Sequence, residues 1–336
     1  MTASTRIVSA APHIKAGDTT PTIMWSVVMS LGPVVASAIY FFGPSAILVL
    51  AASVSGAMLP ESLLGRGGTR SLRDGSAIIT GILLGLTLPP GIPLWMAFLG
   101  GAFGIGFGKL IFGGLGQNVF NPALLGRAFL QAAFPVALTT WSVPADGWWS
   151  LRGDNFAFPL MSPEAVDGFS GATPLGLIKF EQTSTPDWDL ILGTTSGSLG
   201  ETSGLVILLC GLYLAARKHL DWRIPVSILA VVALFSALLN AFDAARYPGP
   251  VFMLFSGGLM LGAVFMATDM VTSPVTRRGC WIFGAGIGFL VVVIRVWGGL
   301  AEGVMYAILL MNALVPFINR ATQPNVFATH PLRRKP

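Results

Sequence analysis

Two stretches of the chain share one skeleton: "GGLGQNVFNPALLGRA" at 113–128 and "GGLAEGVMYAILLMNA" at 298–313. Seven of the sixteen positions coincide at a constant offset of 185 residues, among them both glycines of each opening pair and the Leu124/Leu309 and Leu125/Leu310 pairs. Leu, Ala and Gly recur by chance in apolar helices. Chance does not explain why both copies fall at the entry to the fifth helix of a five-helix half. A weaker echo pairs "GILLGLTLPPGIP" (81–93) with "GAVFMATDMVTSP" (262–274).

The composition places these repeats in lipid. Of 336 residues, 53% are apolar and only 10% charged, against roughly a quarter charged in soluble domains. Apolar segments recur at about 22–42, 45–64, 75–89, 92–112, 121–140, 198–217, 223–241, 250–268, 279–297 and 300–319, each near the ~20 residues a bilayer core requires. Pro- and Gly-rich joins such as "FFGPS" and "LPPGIP" punctuate them. The expected fold is therefore an all-α polytopic membrane protein of about ten transmembrane helices. An odd number of spans per half makes the two five-helix repeats inverted, a plan that also resembles urea and ammonium channels. Such folds build binding sites from interrupted helices near the midplane. Asn121 with Pro122, and the 268–274 stretch, are the expected interruptions.

Charge supplies an orientation. With a cytoplasmic amino terminus, 16 of the 20 Lys and Arg residues fall on the inner side, leaving Arg152, Lys179, Arg246 and Arg295 outside. Arg127 and Lys109 are counted inside on this layout. The divisions are then a cytoplasmic arm (1–21) without signal-peptide character, a first repeat (22–140), a periplasmic loop (141–197), a second repeat (198–320) and a cytoplasmic tail (321–336). The net charge of +5 is spread over short loops, so it marks topology and not nucleic-acid binding. Cys210 and Cys280 lie in separate apolar segments without metal or CxxC spacing, which argues against an iron–sulfur site. The glycines of "GGAFGIGFG" (100–108) lie inside a span with no preceding strand; close helix packing accounts for them better than dinucleotide binding. Neither a metal site nor a catalytic set emerges.

The outer loop contains "DGFSGATPLG" (167–176). Thr173 before Pro174 reads as a helix start, with the threonine as cap and the proline in the first turn. Pro174 also biases Thr173 towards an extended backbone, with small neighbours at Gly171 and Ala172. A threonine oxygen in such a place can carry a phosphodiester.

This stretch resembles the flavinylation sequence of the RnfD/NqrB family, membrane subunits of the Rnf and Na⁺-translocating NADH:quinone oxidoreductase complexes. Three more stretches resemble it: "GKLIFGGLGQNVFNPALLGRAFL" (108–130), "FMATDMVTSP" (265–274) and "IRVWGGLAEGVMYAILLMN" (294–312). The family commonly has Pro where this chain has Met270. The early first span and short tail are closer to the RnfD side than to the NqrB side. The resemblance implies covalent FMN on Thr173 within Ser170, Gly171 and Ala172, and a non-covalent riboflavin among the helices. For the latter, Asn118, Asn121, Thr268, Asp269 and Thr272 are the polar residues at expected helix breaks, where they serve either a flavin or the broken backbone. It further implies a bacterial inner-membrane complex linking ferredoxin and NAD to Na⁺ or H⁺ movement. Partners would be a periplasm-facing FMN subunit and membrane Fe–S subunits. An NqrB-like subunit and a flavin-free channel of the same plan are the alternatives.

Ionisable residues close to apolar segments are costly and so usually paired or functional. Glu61, Asp269 and Glu302 are the ion-path candidates. Glu302 and Arg295 flank Gly298 and Gly299, a spacing that predicts an ion pair between them.

Overall fold

A computed structural model describes residues 19–324 apart from 66–67, 142–148, 150, 160–172, 182, 184, 194, 202 and 245. The described residues are helical, with no strand among them. In chain order the main helices are α1 (Thr20–Phe42), α2 (Pro44–Leu64), α3 (Ser76–Leu86), α4 (Leu94–Ile105), α5 (Pro122–Ala133), α6 (Gly204–Ala216), α7 (Arg223–Phe242), α8 (Pro250–Phe255), α9 (Leu259–Leu261), α10 (Arg277–Trp297) and α11 (Val304–Thr322). Five of them, α1, α2, α7, α10 and α11, are long and apolar enough to cross a membrane. Shorter apolar helices cover Ser76–Leu86, Leu94–Leu110 and Gly204–Ala216.

Local sequence explains most helix ends. Gly43 at φ 64° separates α1 from Pro44, the first residue of α2, a backbone angle that L side chains rarely adopt. Asn121 caps α5, its Oδ1 accepting from the amides of Ala123 (3.0 Å) and Leu124 (3.3 Å) ahead of Pro122 at the first position. Thr276 caps α10 through the Gly279 amide at 3.0 Å. Both halves carry a π turn, at Gly106–Leu110 and Gly262–Met266.

Several expected spans are shorter than their apolar runs. The 250–268 run is not one helix: α8 stops at Phe255 and Gly257 takes φ 65°, so α9 starts afresh. The 121–140 run ends at Ala133, where Pro135 cannot continue the ladder and starts a separate turn. Pro89, Pro90 and Pro93 open the stretch between α3 and α4, where Leu88 and Ile92 are nonetheless buried. Asn155, from the segment between the two apolar halves, satisfies that break, donating to the carbonyls of Pro90 (3.0 Å) and Ile92 (2.9 Å).

Packing follows the same pattern in both halves. α2 lies against α3 and α4, and α4 against α5; α7 lies against α10, and α10 against α11. Across the halves α1 meets α6 and α5 meets α11, around one continuous buried cluster that includes Leu31, Leu84, Leu124, Ile228, Phe283 and Ile308. The glycine-rich 100–108 stretch is a packing surface. A Cβ on Gly101 would sit 2.8 Å from Ala57 N, and one on Gly104 would sit 2.6 Å from Pro122 O. Backbone there touches backbone.

Gly101→Leu should therefore lower the detergent melting temperature, with a cost of about 1–3 kcal/mol from overpacking. Gly106→Leu, where a Cβ meets nothing within 4 Å, should leave it nearly unchanged. Equal effects of the two substitutions would refute the packing role.

Candidate functional site

Two cavities among the described residues lie where the helices break. The first, about 800 Å³ with its open mouth, is lined by Asn118, Asn121, Thr268 and Asp269 together with Lys109 and apolar side chains such as Leu83 and Phe265. Four of the five residues that the sequence offers as flavin contacts thus share one wall. Thr272 stands behind them, donating from Oγ1 to Asp269 Oδ2 at 3.2 Å.

Each of these residues also serves the backbone. Asn121 Nδ2 donates to the Met266 carbonyl at 3.2 Å, tying the start of α5 to the break that follows α9. Asp269 accepts from the Val271 amide at 3.2 Å and is hydrogen-bonded by Asn118. Thr268 Oγ1 donates to the Val264 carbonyl at 2.5 Å. Asn312, which no local sequence signal marks, joins both breaks. In the amide orientation that satisfies both partners it accepts from the Asn121 amide and donates to the Thr272 carbonyl, each at 3.3 Å.

Lys109, 3% exposed, pairs with Glu61 Oε1 at 2.9 Å and donates to Ser76 Oγ at 2.7 Å. The Ser71 hydroxyl also bonds Glu61. Glu61, 1% exposed, is therefore a partnered interior carboxylate and not a headgroup anchor. Its partner Lys109 is an interior charge and not a free loop cation, which corrects its use in the topology count.

The second cavity, about 810 Å³ with its mouth, is lined by Thr173, Arg127, Glu302, Gln131, Trp141 and Tyr306, among others. Thr173 has the extended backbone its proline dictates (φ −67°, ψ 153°) and caps a short turn, Oγ1 accepting from the Gly176 amide at 3.1 Å. Its hydroxyl proton remains available to an acceptor or for replacement. Ser170, Gly171 and Ala172 lie outside the described residues.

The expected pairing of Arg295 with Glu302 is not what forms. Arg295 donates to the carbonyls of Met253 (2.6 Å) and Ser256 (2.9 Å), satisfying the broken end of α8. Glu302 pairs instead with Arg127 at 2.8 Å. Arg127 is thus a buried charge beside Thr173, and its assignment to the opposite side in the topology count is corrected too. Glu302 also hydrogen-bonds Glu201, which in turn accepts from Ser198 Oγ at 2.8 Å. Glu201 is a site residue that sequence reasoning misses. Its one signal is an acid at the edge of the 198–217 apolar run.

Lys179 fastens this region to the second half. Its Nζ donates to the carbonyls of Arg295 (3.1 Å), Gly298 (2.6 Å) and Leu300 (2.8 Å), and partial burial lowers its pKa from the ordinary lysine value. The three ion-path candidates do not form one site: Asp269 lines the first cavity, Glu61 adjoins it through Lys109, and Glu302 lines the second.

The chain is similar over most of its length to curated proteins of one kind. The D subunit of the ion-translocating oxidoreductase complex of Stutzerimonas stutzeri is 45% identical, covering 94% of this chain and 93% of the relative. The D subunit of the proton-translocating ferredoxin:NAD(+) oxidoreductase complex of Clostridium ljungdahlii is 39% identical, covering 96% of each. The Na(+)-translocating counterpart of Acetobacterium woodii is 37% identical, covering 98% of this chain and 97% of the relative. Residues 7–328 match the model of the NQR2, RnfD, RnfE family, and the chain belongs to that family.

Proposed function

We propose that the chain is the membrane flavoprotein component RnfD of an Rnf-type complex that couples electron transfer between ferredoxin and NAD to Na⁺ or H⁺ translocation. The names of its relatives, which it matches over nearly their full lengths, favour this over an NqrB-like component. One of those names specifies protons and another Na⁺, so the reading covers either ion.

In this reading Thr173 carries FMN through a phosphodiester and a riboflavin occupies the first cavity. The observation that carries it is the gathering of Thr173 on one cavity and of Asn118, Asn121, Thr268 and Asp269 on the other, the two sharing α5, whose start (Asn121–Ala123) lines one and whose next turns (Leu124, Arg127, Gln131) line the other. The residues suit such groups. Beside Thr173, Arg127 and Gln131 offer N–H donors and Trp141 and Tyr306 offer aromatic surface. In the first cavity, amide and hydroxyl groups face an apolar wall wide enough for a ring system. Bound flavins would supply one- and two-electron chemistry. The chain's own residues hold and orient them and exclude water. The buried carboxylates Asp269 and Glu302 are the groups that would hold a proton or Na⁺ near each, where low dielectric makes ion binding sensitive to neighbouring charge.

The topology belongs to the same reading. Two inverted five-helix repeats are supported by the parallel packing of α2–α4–α5 and α7–α10–α11. The Lys/Arg asymmetry, which survives without Lys109 and Arg127, puts both termini in the cytoplasm and Thr173 on the periplasmic side of a bacterial inner membrane. Partners would be a periplasm-facing FMN subunit and membrane Fe–S subunits.

After co-expression with the flavin transferase, the parent chain should show a fluorescent band in a denaturing gel and an intact mass raised by one FMN. Thr173→Ala should lose both; a band that survives the substitution ends the case for this attachment point. Asn118→Leu should keep the covalent band and weaken non-covalent flavin about three- to tenfold, the worth of one hydrogen bond. Undiminished riboflavin in that variant would remove the first cavity from the reading.

A further inference from the structure

Thr173 and Arg127 line the same cavity. Arg127 is 8% exposed and its hydrogen bond runs from Nη2 to Glu302 Oε2 at 2.8 Å. A guanidinium has five N–H donors in a planar fork, so most of its capacity is uncommitted. Two other cations among the described residues nearby are committed to backbone: Lys179 to three carbonyls and Arg295 to two.

The charges in this cluster do not balance. Glu201 and Glu302 hydrogen-bond each other, and two carboxylates in contact require one shared proton. Among the described residues that pair carries one negative charge, against the positive charges of Arg127, Arg295 and, on its three carbonyls, Lys179. Among the described residues the cavity that Thr173 lines therefore carries surplus positive charge. A phosphodiester is a monoanion, and it would offset one of those charges. Arg295 stands near Glu302 without pairing with it: a Cβ on Gly257 would lie 3.1 Å from Glu302 Oε1 and 3.2 Å from Arg295 Nη2.

We propose that Arg127 is the counter-cation of the phosphodiester borne by Thr173, exchanging its bond to Glu302 for a forked pair with the phosphate oxygens. Guanidinium and phosphate match in that geometry, and a buried phosphate left unpaired would be costly. Glu302 then keeps its contact with Glu201 and the unpaired charge of Arg295 near it. The proposal rests on the reading of Thr173 as the attachment residue and adds the group that seats what is attached.

The test uses the full chain, flavinylated by co-expression and purified in detergent, as parent, Arg127→Gln and Glu302→Gln. The readout is the steady-state fluorescence anisotropy of the covalent flavin, with melting temperature as the folding control. A purely structural ion pair would make the two substitutions equivalent. The phosphate seat makes them opposite. Arg127→Gln should lower the anisotropy about twofold as the tethered ring gains nanosecond freedom, while Glu302→Gln, which frees Arg127, should match or exceed the parent. Equal losses in both variants, or no loss in Arg127→Gln, would overturn the proposal. If Arg127→Gln fails to fold, Glu302→Gln still decides: a fall in its anisotropy refutes the seat. A parent chain with no covalent flavin band would instead overturn the attachment reading itself, a result visible before any variant is made.

Discussion

Every interrupted helix in an apolar interior leaves backbone groups that lipid cannot satisfy, and the architecture is organised around meeting that demand. Asn155 supplies the break after α3, Arg295 the end of α8, Lys179 the end of α10, and Asn121 both the start of α5 and the Met266 carbonyl. Asn312 links the start of α5 to the break around Thr272 in one polar seam. These interior polar side chains are conditions of the fold first. The cavities exist because the helices stop there, and the groups that finish the helices are the groups a ligand meets.

The features legible in the sequence have local causes. Asn121 before Pro122 announces a capped start, the 268–274 stretch announces a break, Thr173 before Pro174 announces a cap, and the small residues of 100–108 announce close backbone contact. The missed features depend on distant partners. Nothing near Arg127 indicates that Glu302 will be its partner, 175 residues away. The Arg295–Glu302 spacing suggests a pair, but two carbonyls freed at the end of α8 compete for the guanidinium and win. The break at Gly257 is visible as a Gly-Gly pair inside "FSGGLM", yet the apolar content of 250–268 outweighs it in a reading by hydropathy.

Both cavities set an ion pair beside their polar wall, but the two pairs differ. Lys109 and Glu61 sit among Ser71, Ser76 and Asp74, which satisfy all but the second oxygen of Glu61. That cluster is nearly self-contained, as buried charges must be to be tolerated. The Arg127 cluster is less complete. Two arginines lie near Glu302 and Glu201, Arg127 alone forming an ion pair, and the cluster adjoins the cavity that Thr173 lines.

The segment between the two halves is stitched down at both ends. Its earlier part bonds to the first half through Ser45 and the carbonyls of Pro90 and Ile92. Its later part bonds to the second half through the three carbonyls held by Lys179. Moving one half against the other at this rim would break bonds that this one segment makes to both. Anchored in both halves, the segment straps them together on the side of the Thr173 cavity and not at the first cavity, beside Asp269 and Lys109.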